Sequence, residues 1–397
     1  MRRPSPLGAI FVTVLIDLLS FGLVIPDIQI RGDSLGASGW VRGLLLATFS
    51  IAQLLTAPYL GRLSDSIGRR MILLLTTVLS VICFVFYAHA ETLLYLFISR
   101  VISGIAGANL PVAYAYVADV TKPEDRAKGM GLLGAAFGVG FIFGPVLGGV
   151  LLEAGGGKPL LMGYVAAAMA AVNFLYVFFF LPESLMKEDR THADDRKPTL
   201  HNMKVAFATP GLGLLLAMFF AYNFAFSNLE STYFLLVVKN FLLTQREGTY
   251  LLAIVGIVSA VMQGFMVQRA TKRFGELNLV RISYLFQVPT LMAVPFAMPW
   301  IPQIIGIIFL GTCTGLSQPS LNSLISKSAP RDMQGGIFGV TQALGAFARI
   351  LGPMVGNALY DVRYWLPYTV AGSLVLFPLL GAFRMKSPPE PEPAPAT

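Results

Sequence analysis

Charge is scarce in this chain. Asp, Glu, Lys and Arg make up 13% of its 397 residues, about half the share usual in a soluble globular domain. That excludes an ordinary soluble enzyme. Cysteine is scarcer still: Cys83 and Cys313, each inside an apolar stretch, exclude a disulfide scaffold. The three histidines, His89, His192 and His201, fall at segment ends or in a polar linker without metal-ligand spacing. No metal site is expected. A G-x4-G-K-[ST] phosphate loop is missing, since Gly157-Lys158 is followed by Pro159, so ATP is not the expected energy source. Neither G-x-S-x-G nor H-E-x-x-H occurs, and no enzyme is expected. What remains is 55% hydrophobic with a mean hydropathy of +0.69, 39 Gly and 25 Pro. Both residues are more frequent in membrane helices than in soluble ones. The composition predicts an all-α polytopic membrane protein.

A spanning helix needs about 20 apolar residues. Runs of that kind fall at 7–30, 39–60, 71–89, 93–118, 129–152, 159–182, 208–236, 249–268, 277–298, 303–326, 335–357 and 365–383, giving twelve segments. Segment one carries Asp17 in its middle, lacks a small-x-small cleavage site and is long for a signal peptide, so it is read as a membrane helix. With both termini cytoplasmic, 20 Lys and Arg fall on the inner side and 6 on the outer, the latter including Arg31 and Arg42. That bias follows the positive-inside rule. The net charge of +8 therefore marks topology, and no nucleic-acid partner is expected.

The polar stretch KEDRTHADDRKP divides segments six and seven. It separates an N-terminal six-helix bundle (1–183) by a linker (184–205) from a C-terminal bundle (206–385), with a disordered tail (386–397) rich in proline. The halves repeat. Gly107 and Pro111 match Gly315 and Pro319 at an offset of 208, as Gly144-Pro145 matches Gly352-Pro353. Arg62, Gly68 and Asp125 match Arg269, Gly275 and Asp332 at an offset of 207. Two like-oriented six-helix bundles are a transporter architecture, with the substrate path expected between them.

Three stretches carry motifs. Between segments two and three runs Gly61-Arg62-Leu63-Ser64-Asp65-Ser66-Ile67-Gly68-Arg69-Arg70. Gly61 and Gly68 permit a tight connection, Arg69 and Arg70 hold it inside, and Asp65 is one acid amid base. Segment four contains Arg100-Val-Ile-Ser-Gly104-Ile-Ala-Gly107. A buried arginine needs a partner, and Asp17, at similar depth in segment one, is the expected one. Segment five reads Gly131-x8-Gly140-x3-Gly144-Pro145-x2-Gly148-Gly149. Its glycines at every fourth position open a groove for a neighbouring helix.

These stretches resemble the signatures of the major facilitator superfamily. The segment-one pattern around Asp17 and the antiporter signature of segment five are similar to its twelve-helix drug:proton antiporters, including tetracycline efflux pumps. The resemblance implies export of a small lipophilic compound in exchange for protons by alternating access. It implies a proton gradient in place of any cofactor, and a monomer in the lipid bilayer. It also implies that Asp65 latches the cytoplasmic side, with the start of segment eleven near Gln334-Gly335-Gly336 as a suitable positive helix end. The second-half copy of this loop has Lys272 where Asp65 stands. Asp17, Arg100 and Glu230 are the expected proton-coupling residues, and Arg349 is the expected partner of Glu230. Asp27, Asn223, Gln263, Gln318, Asn322 and Arg349 are the candidate substrate lining. Arg281 reads as an interface residue. A short chain with little extramembrane mass fits a bacterial cytoplasmic membrane. The competing reading is a proton-coupled transporter of a metabolite such as a sugar or organic anion, which two buried arginines would suit.

Overall fold

The computed structural model describes residues 5–122, 126–185, 199–209, 211–297, 300–329 and 334–385. Among them the chain is helical without strands. Segments one to three become α1 (Pro6–Ser34), α2 (Gly39–Ile67) and α3 (Arg69–Ala88). Segment four is two helices, α4 (Leu93–Gly107) and α5 (Leu110–Val120), where the sequence suggested one. Then come α6 (Arg126–Ala154) and α7 (Pro159–Phe180). The linker contributes a short helix that was not foreseen, α8 (Thr199–Ala208). Segment seven is α9 (Leu212–Leu235), which continues into a π-helical turn at Leu236–Asn240. Segment eight is α10 (Gln245–Val261) and α11 (Val267–Phe274) joined by a second π turn. The last four segments are α12 (Glu276–Ala293), α13 (Trp300–Ser328), α14 (Gln334–Val362) and α15 (Leu366–Ala382). Among the described residues eleven spans are long and apolar enough to cross a membrane, and α15 is a shorter apolar helix. The protein is an integral membrane protein.

Local chemistry explains these limits. Ser5 Oγ accepts from Gly8 N–H at the start of α1 at 3.2 Å, and Thr92 Oγ1 from Tyr95 N–H at the start of α4 at 3.4 Å. Both are N-caps. Gly68 and Gly275 end α2 and α11 with φ of +106° and +75°, a region open to glycine at little cost. Hydroxyls within the spans turn back on their own helices, as Thr76 and Thr77 do toward carbonyls one turn earlier. Their hydroxyl donors are thereby satisfied within the helix.

Two compact units emerge. One holds Met1–Asp195 together with Ser231–Ala253, the other Arg196–Glu230 with Ile254–Thr397. Ser231–Ala253, the adjoining ends of α9 and α10, belongs to the first unit. Within that unit Lys239 pairs with Asp33 at 2.6 Å and Arg246 with Glu153 at 2.8 Å. Its core falls into two layers. Ile10, Ile72, Tyr116 and Val177 pack in one, and Leu23, Leu45, Tyr87 and Met162 in the other. Large exposed apolar side chains such as Phe179 and Phe377 suit contact with lipid.

Candidate functional site

α1 carries the first candidate acids, and α6 fixes where they lie. A Cβ built on Gly140 would fall 2.5 Å from Leu18 Cβ, one on Gly144 2.7 Å from Gly22 Cα, and one on Gly148 2.0 Å from the Leu23 carbonyl oxygen. The expected groove is therefore filled by α1 directly beyond Asp17. Pro145 lies within an unbroken helix. Gly149 faces Thr249 and Arg246, and Gly131 has open space, so close packing does not explain that position.

Asp17 is half-buried. Its Oδ2 accepts from Asn109 Nδ2 at 3.0 Å and its Oδ1 from Ser80 Oγ at 3.5 Å. The expected pairing with Arg100 is not formed. Arg100 is buried and lays its guanidinium over Phe49 at 4.8 Å and Phe21 at 5.6 Å, and its Nε has no acceptor. Depth alone misled the pairing: Phe21, one turn past Asp17, takes the arginine on its ring face.

Asp27 is also not lining. It is buried against Arg31 at 2.5 Å and accepts from the Tyr87 hydroxyl. Arg31 further donates to the Tyr87 carbonyl at 3.1 Å. Arg31 and Arg42, counted among the outer-side charges, are both buried, Arg42 against Asp33 at 2.7 Å.

In the loop signature, Gly61 lies inside α2 with open space beside it, so the turn rests on Gly68 alone. Asp65 pairs with Arg69 at 2.5 Å, and Arg69 also reaches Asp119 at 3.3 Å and Ser64 Oγ at 2.5 Å. Arg70 donates to the Phe178 carbonyl at 2.5 Å. Glu183, which the sequence did not single out, accepts from the backbone N–H groups of Arg69 and Arg70. Residues 123–125 and 330–333, with Asp125 and Asp332, and the side chains of Gln334 and Gly335 lie outside the described set. The expected latch at segment eleven falls there, as does the tail.

In the second unit Glu230 is half-buried and Arg349 is exposed. Asn223 turns its amide back to the Phe219 carbonyl at 2.8 Å. Gln318 lies beside the Tyr222 hydroxyl. Gln263, in the π turn of segment eight, and Asn322 are exposed. A cavity of about 350 Å³ is lined by Thr271, Lys272, Glu276 and Ser323 among others, and by none of the expected lining residues. Arg281 donates to the Ala382 and Met385 carbonyls at 2.7 and 2.5 Å, capping α15.

Asn109 was missed. Its signal was Gly107-x-Asn109-x-Pro111, a polar residue between a glycine and a proline in an otherwise apolar run.

Comparison with known proteins agrees with this geometry. The tetracycline resistance protein of class C from Escherichia coli is 30% identical over 374 residues, covering 91% of each chain. Multidrug resistance protein 1 of Bacillus subtilis is 26% identical with 93% of each covered. The crystal structure of the human organic anion transporter MFSD10 matches with a TM-score of 0.72 at 25% identity, over 96% of this chain and 100% of that one. These relatives are transporters, not enzymes. The model of the Major Facilitator Superfamily matches residues 10–395, and the chain belongs to that superfamily as a transporter of small molecules.

Proposed function

We propose that the protein exports a small lipophilic compound in exchange for protons by alternating access, with Asp17 as the coupling group. The carrying observation is Asp17 itself. It is a carboxylate in an apolar span whose hydrogen-bond partners are two neutral donors, Asn109 and Ser80. A charge at membrane depth costs at least about 2.5–3.5 kcal/mol. A proton on Asp17 removes that charge and weakens its hold on both donors, so each protonation state favours its own arrangement of helices. Arg100 is not the group released. Glu230, with Arg349, is the second acid of the reading, and Asn223, Gln263, Gln318, Asn322 and Arg349 are the candidate substrate contacts. The Asp65–Arg69 loop serves as the cytoplasmic gate. Drug export is supported by the likeness to tetracycline and multidrug resistance proteins. The reading places a monomer in a bacterial cytoplasmic membrane with both termini inside, driven by the proton gradient without a cofactor.

One observation favours organic anions as cargo instead. Arg100 is a buried cation with aromatic rings, and no carboxylate among the described residues, beside it. The human structural relative is named as an organic anion transporter. Both readings meet in one experiment. Proteoliposomes with a trapped pH dye receive cationic, neutral and anionic lipophiles, using wild type and Asp17→Asn. Proton movement triggered by lipophilic cations or neutral compounds, and lost in the variant, is expected. Undiminished exchange in Asp17→Asn would remove Asp17 from the mechanism. A response confined to anions would give the cargo to the second reading.

A further inference from the structure

Segment four is interrupted where it passes Asp17, and the interruption has identifiable parts. Pro111 has no N–H, which leaves the Gly107 carbonyl one turn earlier without its helical donor. Gln53 of α2 supplies that donor through Nε2 at 2.8 Å. α4 stops at Gly107 and α5 begins at Leu110, which puts Asn109 at the N-cap of α5. An asparagine there ordinarily offers its side-chain oxygen to the free N–H groups of its own helix. Asn109 makes no such bond. It is buried, and its amide donates to Asp17 instead.

Other polar and charged side chains on the surrounding helices are bonded elsewhere, and Asn109 and Ser80 are the groups that bond Asp17. α3 presents Ser80, with Cys83 a turn further on donating to the Ser99 carbonyl. α4 presents Arg100, committed to aromatic faces. α7 presents Asn173, which donates to the Thr13 carbonyl at 3.0 Å. α2 presents Phe49 and Gln53, and α6 its bare glycines.

We infer that Asn109 is the positioning residue of the proton site, holding Asp17 as an anion and releasing it when the carboxylate takes a proton. The inference rests on the proton-coupling reading above. A hydrogen bond to a carboxylate is roughly twice as strong as one to a neutral acceptor. Protonation therefore weakens the bond that Asn109 Nδ2 donates, which frees the side chain to turn and offer its Oδ1 to the backbone N–H groups at the start of α5. That helix carries Asp119 near its far end, bonded to Arg69 of the loop signature at 3.3 Å, so a re-seating of α5 reaches the loop.

The test uses the full chain in proteoliposomes and follows substrate-driven proton exchange against pH. Asn109→Leu keeps the volume and removes the donor, whereas Asn109→Ser keeps a donor. For Asn109→Leu the proton concentration giving half-maximal exchange is expected to fall about tenfold, the loss of one hydrogen bond to a charged group. Asn109→Ser is expected to stay near wild type. A lower rate at an unchanged midpoint in Asn109→Leu, with exchange abolished in Asp17→Asn, would make Asn109 merely structural and leave the proton reading standing. Full exchange in Asp17→Asn would sink both. Should Asn109→Leu fail to fold, Gln53→Met loosens the same break without touching Asp17. Its midpoint is expected to move in the same direction by less, and an unmoved one would overturn the inference.

Discussion

At the start of α3 the first half places a base, and at the start of α12 the second half places an acid. Arg69 is buried and holds Asp65 and Asp119. Glu276 holds Lys327 at 2.8 Å and accepts from Ser323 Oγ at 2.7 Å. Both residues follow the positive-φ glycines Gly68 and Gly275, and Asp119 and Lys327 occupy matching positions in the repeat. The bond between the turn and the end of the neighbouring span is kept while its signs are exchanged. Its surroundings are not symmetric. An acid at a helix N-terminus is favoured by the helix dipole and a base is not. Glu276 needs nothing more, whereas Arg69 is accompanied by Glu183, which takes the N–H groups of Arg69 and Arg70 at 2.9 and 3.2 Å.

The most severe way to break this comparison is to copy one sign into the other half. Arg69→Glu would set a new carboxylate among Asp65, Asp119 and Glu183. Removing one partner from a buried ion pair typically costs about 3–5 kcal/mol, so a large fall in Tm in detergent is expected. Adding Asp119→Lys restores the arrangement of the second half and should recover part of the loss. A double variant no more stable than the single one would show that the sign is fixed by more than its partner.

The glycine grooves differ in kind as well as in tightness. Gly148 of α6 faces the backbone of α1, where a Cβ would meet a carbonyl oxygen at 2.0 Å. Its repeat partner Gly356 of α14 faces the side chain of Asn228 at 2.9 Å. Side chains can turn aside and backbone cannot. Gly148→Ala is therefore expected to cost about 1–3 kcal/mol and to displace α1 with Asp17, and Gly356→Ala clearly less. Equal losses of Tm in the two variants would remove the distinction between the grooves.

Spans, the repeat and the α6 groove were legible in the sequence because each depends on local composition or on identities at fixed spacing. Side-chain partners were legible only in part. Depth along a helix follows from counting residues, but the direction in which a side chain leaves the helix toward its neighbours does not. Asp17 and Arg100 were thus matched by depth, whereas Arg100 lies over the rings of Phe49 and Phe21 and Asp17 bonds Asn109 and Ser80. Asp119 and Glu183 reach Arg69 from distant parts of the chain, which no spacing foretells. The exchanged ion pair was invisible because a search for repeats seeks like residues, and here the resemblance lies in the bond. Segment four read as continuous because Gly107 and Pro111 recur as Gly315 and Pro319, and α13 runs through its copy unbroken.

The smallest effect expected separates the two ion pairs by their contact with solvent. Lys327 is 36% exposed and Glu276 15%, against 10% for Arg69 and 22% for Asp119. An exposed pair is worth about 0–1 kcal/mol and is screened by salt, with a screening length of about 10 Å at 0.1 M. Lys327→Met should lower Tm slightly in low salt and hardly at all in high salt. Asp119→Asn leaves the buried Arg69 with one fewer carboxylate, gives Ser184 Oγ a neutral acceptor in place of a charged one, and should cost more at every salt concentration. Parallel salt dependence in the two variants would mean that the second-half pair is as shielded as the first, and that exposure does not distinguish them.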